Sequence, residues 1–500
     1  MNGNLFARLA ARFPADASTV AIETPEGRAI TYADLLAASG RMAAVLRAEG
    51  VVPGDRVMVQ VEKSPEAVFL YLACLQVGAI YLPLNTAYTA SELAYFIADA
   101  EPRVLVCDPG AEAALRPLAE RVGALPLTLD AGGRGGLTTA ALAKAPDTAV
   151  AARAGADVAA ILYTSGTTGR SKGAMLTGDN LWSNALTLSE AWGFSGADVL
   201  LHALPIYHTH GLFVALNLTL MNGGRVLFLP KFDAELILEL MPRATVLMGV
   251  PTFYTRLLAS PRLTRPRARA MRLFISGSAP LLAQTHVEFE ARTGQRILER
   301  YGMTETGMNT SNPLEGDRRA GTVGPALPGV ELRLGDPAAS GYRPAEGVGV
   351  LEVRGPNVFA GYWRMPEKTA AEKRADGFFI TGDLATISED GYVTIVGRAR
   401  DLVISGGLNV YPKEVEEAID ALPEVIESAV IGVPHPDLGE AVVAVVATRG
   451  DPGDVTGALR GRLAAFKLPR HVALVEDLPR NAMGKVQKAA LRERFAGLFA

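Results

Sequence analysis

Cysteine is scarce in this chain: Cys74 and Cys107 are the only two in 500 residues. Two thiols cannot build a disulfide framework, and no CxxC spacing suggests zinc. A reducing compartment fits best, so a cytoplasmic location is expected. A charge imbalance is lacking too. The 49 Lys and Arg against 53 Asp and Glu leave a net charge of −4, which gives no reason to expect nucleic acid as a partner. No uncharged apolar run is long enough to span a bilayer, so no membrane partner is expected either. The opening MNGNLFARLAARFPAD lacks the apolar core of a secretory signal. Its Leu5, Phe6, Leu9 and Phe13 stand at helical spacing and predict a first helix docked on the surface. NLT at Asn217 and NTS at Asn309 match the glycosylation pattern, which means nothing in a cytosolic chain.

What is present is α/β text. RVMVQV, RVLVCD, VAAILYTS, VLLHALP, GRVLFLP, ATVLMGVP and MRLFISGSA are strand-length and apolar nearly throughout, as strands covered on both faces are. Helical patterns lie between them. One is SPEAVFLYLACLQVG, with Ser64 as N-cap and Pro65 at the first helical position. Another is TASELAYFIADA. Alternation of this kind predicts mostly parallel sheets under helices. From Gly321 the text turns glycine-rich and strand-like, with a hairpin turn at EDGYV, and predicts a small β-barrel over about 321–397. The helix YPKEVEEAIDAL and the segments after it suffice for a separate α+β domain. The expected organisation is an N-terminal domain over 1–397, a hinge at 398–401 and a C-terminal domain over 402–500. A chain of 500 residues is too long for one core.

The stretch YTSGTTGRSKGAML, Tyr163 to Leu176, looks built for phosphate. Gly166, Gly169 and Gly173 let N–H groups approach a ligand, Ser165, Thr167 and Thr168 add hydroxyls, and Arg170 and Lys172 neutralise charge. It is not a Walker loop, because the GK[ST] step is missing. Taken alone it is equally a solvated Gly/Thr loop.

SGTTGRSKGAML, YGMTETG, TGDL, GRARDLVISGG and PRNAMGKVQK follow in that order. Together they resemble the adenylate-forming superfamily: acyl-CoA synthetases, adenylation domains of peptide synthetases and firefly-type luciferases. The resemblance covers essentially the whole chain, with two departures: Ser171 stands where Pro is usual, and Arg400 where Lys is usual. It implies a large N-terminal domain of two sheets plus a barrel, a small mobile C-terminal domain, and two half-reactions. A carboxylate attacks the α-phosphate of ATP and expels pyrophosphate. A thiol then attacks the acyl-adenylate and expels AMP.

The resemblance also assigns roles. Lys485 is the implied catalytic cation, bridging the substrate carboxylate and the α-phosphate. On spacing alone it is one more Lys in a basic tail; LPRN and Gly484 match the family's motif. Glu305 is the implied Mg²⁺ ligand and Thr304 an α-phosphate donor. Tyr301 is implied at the adenine, while as a residue type it is equally a core aromatic. Asp383 is expected at the ribose hydroxyls with Arg398 nearby. Thr164, Ser165, Gly166, Thr167, Thr168, Lys172, Gly277, Ser278, Ala279, Glu299 and Arg300 complete the implied ATP- and AMP-binding set. Asp401 is the implied hinge, and Gly406 and Gly407 are implied to admit CoA. HxH at His208 and His210 invites a metal, but no third ligand follows at a useful spacing. The family places His208 at the acyl pocket; His210 is expected in the core, and His202 and His286 carry no signal. The chain ends directly after the Lys485 tail, so free CoA is the expected acceptor.

PIYHTHGLF, GVPTFYTRL and ERYGMTETGMNTSNP resemble malonyl-CoA synthetases in particular. That resemblance places Arg256 and Ser278, with His208, at the distal carboxylate of a short diacid. As a residue, Arg256 is equally a side chain reaching the surface. Malonate, with tolerance for methylmalonate, is the expected acid, and a medium-chain fatty or aromatic acyl-CoA ligase is the alternative. Acetylation of Lys485 would remove its charge, so a lysine acetyltransferase and deacetylase are possible partners.

Overall fold

Apolar strands with no polar face must be covered on both sides, and that requirement sets the architecture. The structure, a computed structural model, describes residues 2–164, 171–336, 341–405, 408–460, 462–481 and 484–499. The chain divides into two compact units. The first comprises 1–320, 326–331 and 354–373; the second comprises 321–325, 332–353 and 374–500.

The first unit holds two sheets. One has seven strands, in the order Gly361–Tyr362, Lys172–Thr177, Val158–Thr164, Ile80–Pro83, Arg56–Gln60, Val104–Cys107 and Leu125–Thr128. Its last five strands run parallel. The other has eight, in the order Gly307–Ser311, Leu298–Met303, Leu273–Ser276, Val246–Gly249, Val199–His202, Arg225–Phe228, Val20–Glu23 and Ala29–Thr31. All seven predicted apolar strands are here. The helix Pro65–Val77 is buried at every position, and its ends follow the sequence signals. Ser64 accepts the Ala67 N–H, Pro65 opens the first turn, and Gly78 closes it at φ 76°. Thr89 and Glu92 form a capping box on the helix Ala90–Ala100. The first helix, Leu5–Ala10, buries Leu5, Phe6 and Leu9. Asn217 and Asn309 are both buried, so neither sequence match offers a glycan acceptor.

The second unit is built partly on the antiparallel sheet Glu331–Gly335, Gly349–Arg354, Phe379–Ile387 and Val393–Arg398. The predicted EDGYV turn joins its last two strands, with Gly391 at φ 86°. Its other sheet is built on the long hairpin Val425–His435 and Gly439–Thr448, extended by His471–Val475, Val403–Ser405 and Leu408–Val410. The helix Pro412–Asp420 buries Val415 and Ile419 in this unit's core. The division differs from the expected boundary at 398–401. The strand-rich segments 332–353 and 374–397 group with the C-terminal residues, where the helix Pro412–Asp420 packs against the strand Val393–Arg398.

Candidate active site

Two clusters form in the first unit. The described ends of the phosphate-like stretch are paired strands: Val158–Thr164 runs antiparallel to Lys172–Thr177, with Thr164 opposite Lys172. Ser165, Gly166, Thr167, Thr168 and Arg170 lie outside the described residues. Gly173 sits within the second strand, where a Cβ would come within 2.9 Å of Ile161 Cγ2 and 3.3 Å of Trp363 Cβ. Close packing against Ile161 and Trp363 therefore favours glycine there. Tyr362, in a two-residue strand opposite Ala174, brings its ring under the Lys172 ammonium, 4.2 Å from Nζ. Lys172 Nζ donates to Glu372 Oε1 at 3.1 Å. The Tyr362 hydroxyl donates to Glu372 Oε2 at 2.6 Å and lies 3.1 Å from Glu305 Oε1, which also accepts from Thr164 Oγ1 at 3.2 Å. Burial pushes the Glu305 carboxyl above its ordinary range, against the nearby charge of Lys172. Burial also acts upward on Glu372, but hydrogen bonds from Lys368 and Tyr362 and the Lys172 charge bring it below its ordinary range.

The second cluster lies at the end of the eight-stranded sheet. The strand Leu273–Ser276 runs into Gly277 and Ser278, and Ser278 adopts φ 72°, a left-handed conformation rare for serine. Its Oγ lies 3.3 Å from His210 Nδ1. Arg300, on the neighbouring strand Leu298–Met303, is 2% exposed. Its guanidinium fills the space a side chain at Gly277 would take: a Cβ there would meet Cζ at 2.5 Å. Arg300 Nε and Nη2 are buried with no hydrogen-bond partner among the described residues. Burial pushes this guanidinium down to about 9, so it remains charged at neutral pH. His210 is pushed well below its ordinary value by burial, then by the Arg300 charge, and is neutral.

His210 opens a π-helix, His210–Leu216, of the kind that accompanies functional sites. A buried pair supports it. Lys63 Nζ lies 2.7 Å from His202 Nδ1, and His202 Nε2 lies 2.8 Å from the Gly211 carbonyl inside the π-helix. Lys63 also lies 4.4 Å from the centre of the Phe228 ring. His202 and His286, which carry no sequence signal, are both buried, and His286 Nδ1 lies 3.5 Å from Glu299 Oε1. His210, expected merely in the core, faces Ser278. His208 is half-buried, with its ring 4.6 Å from that of Tyr207. Arg256 is exposed on the helix Pro251–Ala259, its guanidinium 5.8 Å from the centre of the Phe232 ring. The buried cation at this end of the sheet, packed against Gly277, is thus Arg300, while Arg256 is exposed on its helix. Ala279, Tyr301 and Thr304 are half-buried, and the Tyr301 hydroxyl lies 3.9 Å from Met303 Sδ.

The remaining residues belong to the second unit. Asp383 is buried opposite Arg398 in antiparallel register, with Arg398 Nε 2.7 Å from Asp383 Oδ1. Asp401 pairs with Arg492. Lys485 is exposed. Asn481 and Lys485 exchange hydrogen bonds of 2.9 and 3.0 Å, and Gly484 adopts φ 73°. Gly406 and Gly407 lie outside the described residues.

The sequence pattern of AMP-binding enzymes matches residues 6–363, and that of the AMP-binding enzyme C-terminal domain matches residues 414–485. The chain belongs to the AMP-binding enzyme family. Among curated members of the family, it is 37% identical to a feruloyl-CoA synthase of Amycolatopsis, over 94% of each chain. It is 35% identical to a malonate–CoA ligase of Arabidopsis thaliana, over 89% of this chain and 78% of that one. The crystal structure of ATP-bound MatB from Rhodopseudomonas palustris matches with a TM-score of 0.98 and 60% identity over the whole of both chains. The family relationship makes the protein an AMP-forming acid–thiol ligase that uses ATP and CoA. No described helix is long and apolar enough to cross a membrane.

Proposed function

We propose that the protein is a malonate–CoA ligase, forming malonyl-CoA through a malonyl-adenylate and tolerating methylmalonate. The observation that carries this is Arg300: a buried, charged guanidinium with two unpartnered N–H groups beside Ser278. A buried cation without a counterion is costly, so the pocket calls for an anion beyond the carboxylate that reacts. A short diacid supplies it, with the reacting carboxylate toward ATP and the distal one on Arg300 and Ser278. Arg256 and His208 are assigned to the pocket rim. The malonate–CoA ligase among the relatives supports the same reading.

The first half-reaction brings an anion to a polyanion, so the residues must mainly neutralise charge and position the reactants. Lys172 and Thr164 meet the phosphates, with Thr304 at the α-phosphate and Lys485 bridging carboxylate and phosphate. Gly277, Ala279, Glu299 and Tyr301 border the adenine side, and Asp383 with Arg398 takes the ribose. Glu305 would hold Mg²⁺. The residues fit that ion: one buried carboxylate with a hydroxyl beside it suits a cation that keeps phosphate and water oxygens for its remaining sites. Bound there, Mg²⁺ would neutralise phosphate charge. Asp401 is the hinge between the half-reactions, and the setting is cytoplasmic.

A feruloyl-CoA synthase at 37% identity favours an aromatic acid as the second reading. An aromatic monoacid would leave Arg300 unmet. The deciding experiment is pyrophosphate release with ATP, Mg²⁺ and CoA across malonate, methylmalonate, succinate, butyrate, octanoate and ferulate. Malonate should exceed butyrate by as much as ~10⁴ in kcat/KM, because butyrate leaves a buried donor set unpaired. Turnover of ferulate or octanoate in place of malonate would overturn the substrate and keep the two-step chemistry.

A further inference from the structure

The Lys172 ammonium and the Tyr362 phenol converge on one side chain outside every motif singled out in the sequence, Glu372, and the same phenol reaches the Glu305 carboxylate. Its carboxylate accepts from Lys172 at 3.1 Å, from Tyr362 at 2.6 Å and from Lys368 at 2.9 Å. We propose that Glu372 and Tyr362 are positioning residues for adenylation, holding Lys172 and Glu305 as one preset unit that receives the ATP phosphates. The inference rests on the assignment of Lys172 and Glu305 to the nucleotide.

Local structure explains how Glu372 arrives there. Tyr362 and Gly361 pair with the strand that begins at Lys172, which places the phenol beside the ammonium. The Trp363 N–H donates to the Gly173 carbonyl at 2.7 Å and fastens the same junction. The helix Pro366–Glu372 then turns back, and its i,i+4 pair Lys368 and Glu372 lies on one face. Thr369 Oγ1, one turn before Lys373, accepts the Tyr362 N–H at 2.9 Å and ties the helix to the two-residue strand.

Charge explains what the arrangement does. Lys172 is 7% exposed, and a buried ammonium needs a counterion while no nucleotide is bound. Glu372 is that counterion. An ammonium has three donor hydrogens and Glu372 engages one face of it, so Lys172 can keep this bond and still reach a phosphate. The Tyr362 hydroxyl spans the two carboxylates, 2.6 Å from one and 3.1 Å from the other, so the lysine and Glu305 do not move independently. Preset groups lose less freedom when the phosphates arrive, and that benefit falls on adenylation and not on attack by the thiol.

The test separates the half-reactions. Glu372→Gln, Glu372→Asp, Tyr362→Phe and Lys172→Met would be assayed for malonate-dependent ATP–pyrophosphate exchange, and for CoA thioester formation from synthetic malonyl-adenylate. KM for ATP and for malonate would be taken separately. Loss of one charge-assisted bond corresponds to about 10- to 100-fold. Glu372→Gln should lower exchange by about that factor and raise KM for ATP, with KM for malonate and the thioester step within about twofold. Glu372→Asp, which keeps the charge, should recover part of the loss, and it serves as the test if Glu372→Gln does not fold. Tyr362→Phe should cost less, and its effect should be non-additive with Glu372→Gln, since both act through one unit. Equal loss in both half-reactions, or a lowered thermal midpoint with exchange unchanged, would reduce Glu372 to a strut and overturn the proposal. If Lys172→Met abolishes exchange while Glu372→Gln leaves it intact, this inference falls alone. If Lys172→Met leaves exchange intact, the nucleotide assignment falls and the inference with it.

Discussion

Replacing Arg300 by methionine should separate what this residue does for the substrate from what it does to the fold. Arg300 is 2% exposed, and burial pushes its guanidinium down to about 9. Holding it charged therefore costs on the order of 5 kcal/mol, an upper figure because neighbouring groups relax. The sign follows directly: for a base whose folded value is depressed, the penalty is present in full below about 9 and lifts only as pH climbs past it. At neutral pH the unliganded enzyme carries all of it. Methionine has similar length and no charge, so Arg300→Met should leave the thermal midpoint unchanged or raise it. Malonate should suffer. Two charge-assisted hydrogen bonds, from Nε and Nη2, are worth roughly 1.5–3 kcal/mol each, which corresponds to a loss of about 10²- to 10⁴-fold in kcat/KM. Butyrate should improve, because the methyl end would then meet an apolar wall. The assay is pyrophosphate release with both acids, beside a thermal melt at pH 7.5. A variant within tenfold of the parent on malonate, with no gain on butyrate, would refute the assignment. A collapsed melting curve would refute the physical account of the unliganded pocket.

Arg256→Leu should lower malonate kcat/KM by less than Arg300→Met does, since Arg256 is exposed and its visible contact is a ring face worth about 0.5–1 kcal/mol; steady-state kinetics of the two variants side by side decide this, and a larger loss at Arg256 would make it the principal clamp. Lys485→Gln, a mimic of the acetylated side chain, should abolish ATP–pyrophosphate exchange yet spare thioester formation from preformed malonyl-adenylate; equal loss in both steps would remove its bridging role. Asp420 is pushed up to about 7, first by burial and then by Glu416 and Glu427, with Ser428 acting the other way. A carboxyl raised in the folded state destabilises increasingly as pH climbs from about 4 to about 7, so Asp420→Asn should raise the melting midpoint of the second unit at pH 8 and leave it nearly unchanged at pH 4.

The parts of the fold that were legible in the sequence are those where a single segment carries its own explanation. Strands such as Val104–Cys107 and Val246–Gly249 are buried at every residue, and an apolar run bounded by turn residues is what such burial requires. Ser64, Pro65 and Gly78 announce their helix because capping is a local matter. The order of strands within each sheet was not legible, since parallel strands that are apolar throughout carry no mark of their neighbours. The grouping of 332–353 and 374–397 with the C-terminal residues was hidden for a related reason: it depends on strands some 30 residues apart pairing and on the helix Pro412–Asp420 packing against Val393–Arg398, neither of which marks the local sequence.

The site shows the same division more sharply. Motifs named Glu305, Lys172 and Ser278, but what holds them is distant in sequence: Glu372 lies 200 residues beyond Lys172, and Lys63 lies 139 before His202. Neither Glu372, in AAEKR, nor Lys63, in VEKSP, has a local pattern to betray it, because a charged residue in a polar stretch reads the same whether it is solvated or buried against a partner. Arg300 did have a signal. In a strand, side chains alternate, so Glu299 and Tyr301 share one face of ERYG and Arg300 takes the other. That alternation argues against assigning all three to the nucleotide, and it points the guanidinium toward Gly277, whose missing side chain is what makes room for it. The glycine of SGSA and the arginine of ERYG are therefore one device read from two motifs. The left-handed turn at Ser278 completes it by carrying the serine hydroxyl round to His210. A pocket assembled this way gets its selectivity from a charge that the unliganded fold holds at a loss and that a second carboxylate on the substrate can offset.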